Sequence, residues 1–137
     1  MSYLLDTGFL YALLNRKETL HKRVLAAAQT VYGSIYLPTP VTTEVAYLLL
    51  RDLGVDAVAD FVESLAESNF ILIEPQSSDY QRAAAIMRQY REARIDFVDA
   101  VLFAIAERMD IVHILTVDQR DFRLFRPNHC PAFEILP

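Results

Sequence analysis

The sequence predicts an α/β fold, a three-layer α/β/α sandwich around a central, mainly parallel sheet. Two observations carry this reading. Short apolar runs at residues 3–5, 35–37, 70–73 and 113–117 alternate with longer stretches of helical period. No hairpin-type turn joins any of these runs, so consecutive strands must be linked by helical crossovers, which makes them parallel. A third observation concerns the acids: Asp6 and Asp118 each fall just after a predicted strand. In open parallel sheets that edge is where ligands bind.

Taken in order, Tyr3, Leu4 and Leu5 form a short buried strand ending at Asp6-Thr7-Gly8. Residues 9–14 follow as a short helix. Residues 19–31 have helical spacing, with Leu20, Val24, Leu25 and Ala28 on one face. The strand at 35–37 is stopped by Pro38 and Pro40. Thr42 or Thr43 caps a helix that runs to about Leu53, where Gly54 ends it. Residues 55–66 make another helix, with Val58, Phe61, Val62 and Leu65 inward. After the strand at 70–73, Ser78 or Asp79 starts a helix through Arg91, and Asp96 starts the next. The last elements are a strand at 113–117 and an edge strand at 133–136.

At 137 residues, with 53 % hydrophobic and 23 % charged, the chain is expected to form one globular domain spanning 1–137. The three glycines and the absence of a Pro- or Ser-rich linker leave no place for a domain boundary. The net charge of −5 excludes a protein that grips nucleic acid by bulk positive charge. It does not exclude a nuclease, because a bound cation reverses the local sign of an acidic pocket. A single cysteine, Cys130, rules out an intramolecular disulfide and suits a reducing, cytoplasmic location. No signal-peptide pattern and no membrane-length apolar run occur.

The acids each admit a bland reading. Asp6 could be a turn or helix-cap acid, Glu44 a first-turn acid complementing a helix dipole, and Asp118 or Asp121 the closing residue of an Asx turn. Asp96 reads well as the N-cap of its helix, with Asp99 three residues on. Asp99 fits that scheme less well, since Ala100, Val101 and Phe103 surround it with an apolar segment. A carboxylate there needs a partner or a metal. Among 18 acids some fall at element ends by chance. Four at one predicted ligand edge point instead to a shared pocket, and clustered carboxylates call for a hard divalent cation.

Other chemistries lack their residues. His21, His113 and His129 have no zinc spacing, and no Walker or dinucleotide glycine motif occurs. Ser34 and Thr43 lack the His partner of a nucleophilic triad. A haloacid-type phosphatase would want a second Asp after the first strand, where Gly8 stands; a receiver domain would want Lys where Arg120 stands.

The run Leu4-Leu5-Asp6-Thr7, then Thr43-Glu44, then Phe97-Val98-Asp99-Ala100, then Thr116-Val117-Asp118-Gln119-Arg120-Asp121-Phe122 resembles the PIN-domain family. It is most similar to the small VapC-like toxins of toxin–antitoxin pairs. The resemblance covers nearly the whole chain and implies a Mg²⁺- or Mn²⁺-dependent endoribonuclease acting on RNA phosphodiester bonds. Carried over, the catalytic set is Asp6, Glu44, Asp99 and Asp118, with Asp6, Asp99 and Asp118 about the metal. Asp96, Asp121 and Thr7 are supporting residues. A cognate antitoxin and a homodimer are the implied protein partners. Candidate RNA-contacting cations are Arg16, Lys17, Lys22, Arg23, Arg51, Arg120 and Arg123. The alternative function is a catalytically inactive RNA-binding or scaffold protein of the same fold.

Overall fold

A computed structural model describes residues 1–137. Five parallel strands form one sheet in the order β3-β2-β1-β4-β5. They are β1 (Ser2–Leu5), β2 (Ser34–Pro38), β3 (Ile71–Ile73), β4 (His113–Leu115) and β5 (Glu134–Leu136). Seven α-helices flank the sheet: α1 (Thr7–Leu14), α2 (His21–Ala28), α3 (Thr39–Leu53), α4 (Val55–Glu67), α5 (Ser77–Gln89), α6 (Phe97–Met109) and α7 (Gln119–Leu124). A single 3₁₀ turn, Arg91–Ala93, joins α5 to the approach to α6.

β1 lies at the centre, pairing Tyr3 with Ile35 on one side and with His113 on the other. The chain leaves β1 toward β2 and β3 in one direction, then returns to place β4 and β5 on the opposite flank. The sheet therefore has its topological switch point between β1 and β4, and the crevice beyond their carboxyl ends is the expected ligand site. Leu4, Leu5, Ile114 and Leu115 are almost wholly buried here, which is why these strands are apolar on both faces.

α6 is the central helix, with every residue from Asp99 to Ala106 buried. An aromatic cluster fastens α7 to it. The rings of Phe103 and Phe125 stack at 4.4 Å, and Phe122 meets Phe103 edge-on at 4.9 Å. Two ion pairs clasp α5 to α6: Arg82 with Glu107 at 2.7 Å, and Arg108 with the buried Asp79 at 2.9 Å.

Several boundaries differ from the sequence expectation. α3 begins at Thr39 rather than at Thr42 or Thr43, with Pro40 inside its first turn. Proline is accommodated there because the first-turn amides have no intrahelical acceptor to lose. Glu44 consequently lies beyond the first turn, so the dipole reading does not explain it. α2 covers only His21–Ala28, and β4 stops at Leu115 instead of running to Val117. α5 starts at Ser77, where Gln76 and Asp79 cap the helix reciprocally. The segment after β4, expected as a turn, contains the six-residue helix α7.

Candidate active site

Five short-range facts assemble the site at the carboxyl edge of β1 and β4. The amide of Asp6 donates to the Leu115 carbonyl at 2.9 Å, extending the parallel pairing one residue past the strands. Thr116 Oγ1 then donates to Asp6 Oδ2 at 2.7 Å, and the Thr7 amide donates to Asp6 Oδ1 at 2.7 Å. The Asp118 amide donates to the same Thr116 hydroxyl at 3.0 Å. Asp118 Oδ1 accepts from the Asp121 amide at 3.3 Å and so caps α7. The cap reading and the site reading of Asp6 and Asp118 thus hold together: one backbone contact fixes each carboxylate, and each oxygen retains a free lone pair.

On the facing helix, Asp96 caps α6 by accepting from the Asp99 amide at 2.9 Å. This settles the orientation of the first turn and places Asp99 on the inner side of α6, where it is buried. One of its carboxylate oxygens and one from each of Asp118 and Asp121 lie within 4.8 Å of one another. Asp121, a supporting residue in the sequence reading, belongs to this group. Its one-turn spacing from Asp118 could have shown this, had the intervening helix been recognised.

Electrostatics bring in the remaining acids. Burial, and then the charges of Asp6, Asp96, Asp118 and Asp121, push the Asp99 carboxyl up to about 9. Burial is also the largest cause for Asp6, which is raised to about 6 with contributions from Asp118 and Glu44, against the lowering bonds from Thr116 and Thr7. Asp121 is raised by burial and by Asp118. Glu44, half-buried in α3, is near enough for its charge to raise the Asp6 carboxyl. All six acids singled out in the sequence therefore share one field.

Two buried oxygens, Thr7 Oγ1 and Asp121 Oδ1, have no hydrogen-bond donor. Asp121 Oδ1 lies 3.3 Å from the Arg120 guanidinium, close enough for attraction but not aligned as a hydrogen bond. An all-oxygen donor set with an orphaned buried carboxylate oxygen, and with carboxyls destabilised as anions, fits a hard divalent cation.

Gly8 lets the start of α1 approach the β4–α7 loop closely: a Cβ on it would sit 2.7 Å from Val117 Cγ2, so one of the two would have to shift. Beside Glu44 opens a cleft of about 590 Å³ whose wall includes Thr43, Tyr47, Tyr80 and Phe97. The Tyr80 and Phe97 rings are nearly parallel, 6.4 Å apart, and exposed.

The candidate cations separate by position. Arg120 and Arg123 lie on α7, beside the acids. Arg16 and Lys17 follow the far end of α1, about 12 Å along its axis from Asp6. Lys22 and Arg23 sit on α2, and Arg51 is bound to Asp52 at 2.8 Å near the end of α3. Of these five, Arg51 lies about two turns beyond Glu44 on α3, and the other four lie on α2 or past the far end of α1.

Comparison with known proteins agrees with this fold. The PIN domain model matches residues 3–126, and the chain belongs to that family. It is similar to Ribonuclease VapC26 of Mycobacterium tuberculosis, with 28 % identity over 134 residues, covering 98 % of this chain and 99 % of that one. Among solved structures it resembles M. tuberculosis VapC20, a Sarcin-Ricin loop cleaving toxin, at a TM-score of 0.81 and 20 % identity over 86 % of this chain and 91 % of that one. It also resembles VapBC2 from Rickettsia felis, solved bound to a DNA fragment of its promoter, at a TM-score of 0.71 and 14 % identity over the full length of both. No helix is long and apolar enough to cross a membrane.

Proposed function

We propose that the chain is a divalent-metal-dependent endoribonuclease and the toxin of a toxin–antitoxin pair. The carrying observation is the convergence of Asp99, Asp118 and Asp121 oxygens within 4.8 Å, in the field of Asp6 and Glu44. Its similarity to a ribonuclease over nearly its whole length supports the same reading.

Asp99, Asp118 and Asp121 would hold Mg²⁺ or Mn²⁺, with Asp6 as a further ligand on the β1 side. When bound, the cation would neutralise charge on the scissile phosphate and make a water acidic enough to attack it. Asp6 is kept in place by Thr116 and Thr7, one bond to each oxygen, so that its carboxylate is fixed without a search of rotamers. Glu44, whose charge acts on Asp6 from α3, is the group we assign to accept the proton of the attacking water. The Tyr80–Phe97 pair beside Glu44 offers flat faces for an unpaired base, the form in which RNA sequence is read.

Protein partners have their own surface. A groove of about 210 Å³ between α1, α3 and α4 is lined by Leu14, Leu49, Ala57 and Phe61. It suits an apolar segment of a cognate antitoxin. Leu50, Val62, Ile71 and Leu72 remain exposed outside it, more apolar surface than the groove accounts for, and we assign the excess to a homodimer. Sedimentation of the purified chain tests that assignment, with a single monomeric species as the contrary result.

The test of the activity is incubation of total cellular RNA with the purified chain in Mg²⁺ or Mn²⁺, with new 5′ ends mapped. Discrete cleavage is expected, abolished by a chelator and by Asp99→Asn. Cleavage that persists in that variant would remove Asp99 from the ligand set.

A further inference from the structure

We propose that the cleft between α7 and the 3₁₀ turn is the path of the RNA backbone leaving the active site, with Arg120, Arg123 and Arg126 as its phosphate contacts. This inference rests on the ribonuclease reading above and adds a substrate-binding surface to it.

The cleft has a volume of about 760 Å³, and its walls include these three arginines, Tyr90, Glu92 and Ala93. Arg120 and Arg123 are one helical turn apart on α7, and Arg126 follows just past its end, so their charges form a row. All three side chains are exposed. Three arginines elsewhere are neutralised, Arg51 by Asp52, Arg82 by Glu107 and Arg108 by Asp79. Arg123 and Arg126 meet no carboxylate within 4.0 Å, and one glutamate in the wall leaves the row with a surplus of positive charge.

Local structure uses little of this donor capacity. Arg126 Nη1 donates to the Arg123 carbonyl at 2.6 Å, and Arg120 Nη2 donates to the Ala93 carbonyl at 3.3 Å. A guanidinium has five N–H donors, so most remain for phosphate oxygens. The Arg126 amide donates to Tyr90 Oη at 3.1 Å, which fixes the chain direction past α7 and holds the last arginine over the cleft.

Continuity with the acids identifies the ligand. Arg120 is shared: it lines the cleft and stands 3.3 Å from Asp121, one of the converging carboxylates. A strand with its scissile phosphate at those acids must extend to either side, and the next phosphates on this side meet the arginine row. On a chain of net charge −5, such a row is also what steers a polyanion to an otherwise repulsive pocket.

The test compares wild type with the triple variants Arg120→Gln/Arg123→Gln/Arg126→Gln and Arg120→Lys/Arg123→Lys/Arg126→Lys. Binding is read by fluorescence anisotropy of a labelled single-stranded RNA of mixed sequence, on an Asp99→Asn background, across a salt series. Cleavage of total RNA is read with Asp99 restored. Loss of three phosphate contacts should flatten the slope of log K against log salt by about 2, so the affinity drop between 50 and 200 mM salt shrinks by about 20-fold. KM should rise, and the lysine variant should retain most of the slope. An unchanged slope in the glutamine variant while cleavage continues would overturn the arginine row and leave the ribonuclease reading standing. So would a lysine variant that behaves like the glutamine one, or a glutamine variant that loses only binding of polyglutamate, an acidic-peptide probe. A wild-type chain that neither binds nor cleaves RNA would overturn the ribonuclease reading and the row together.

Discussion

Thr116 Oγ1 donates to Asp6 Oδ2 at 2.7 Å, joining two residues that are 110 positions apart in the chain. The bond ties the ends of β1 and β4 together at the switch point and aims a buried carboxylate at the acid cluster. Because it stabilises the ionised form of Asp6, it partly offsets the burial that raises that carboxyl.

Thr116→Val keeps the shape and removes the donor. The buried Asp6 oxygen is left unsatisfied, which should cost about 1–3 kcal/mol of stability. Asp6 should also hold its proton to higher pH, moving the acid limb of the pH–rate profile upward. Urea denaturation and a pH profile of RNA cleavage check both; unchanged values in both would separate this bond from the site.

The metal-free protein should lose stability as pH rises. Unfolded carboxyls titrate near about 4, whereas folded Asp6 and Asp99 are raised to about 6 and about 9. The folded chain binds more protons across this window, so the contribution is complete below about 4 and declines as each folded carboxyl ionises. Mg²⁺ or Mn²⁺, which binds the ionised form, should flatten or reverse the decline. Thermal melts over the pH range, with and without metal, measure this; a metal-free stability that climbs from pH 5 to 8 would contradict it.

Gly8→Ala should impair activity more than stability. The new methyl meets Val117 and pushes on the loop that carries Asp118, while the helical backbone of α1 tolerates alanine. The expected signature is weaker Mn²⁺ binding with a melting temperature close to wild type. An activity equal to wild type would show that the loop yields freely.

Phe122→Ala should do the reverse in rank, costing about 3–5 kcal/mol because the ring is fully buried against Phe103. The cost arises in packing, yet metal affinity should fall too, since α7 carries Asp121. Denaturant unfolding and calorimetric metal titration read the two effects separately.

The strands and most helices were legible because both depend on apolar periodicity. Four strands and their parallel pairing follow from alternation with helices, the last edge strand from its apolar run alone, and the carboxyl-edge placement of Asp6 and Asp118 follows from the pairing. Helix α7 was not legible: six residues give too few turns for a period, and Arg120, Asp121 and Arg123 mask the apolar positions Phe122 and Leu124. Missing α7 hid Asp121 among the turn acids and left Arg126 without a reason to be noticed. The start of α3 was obscured for a different reason, because Pro40 breaks helices everywhere except in the first turn, where it stands. The Thr116–Asp6 bond is a contact between distant strands, which no local pattern encodes.

Calorimetric titration of Mn²⁺ into the wild-type chain and into Asp99→Asn, at one pH near 7.5, tests the shared cation pocket most directly. Saturable binding by the wild type, with release of protons, and loss of binding in the variant are the predicted results. Equal binding by both proteins, or none by a folded wild type, would contradict the account.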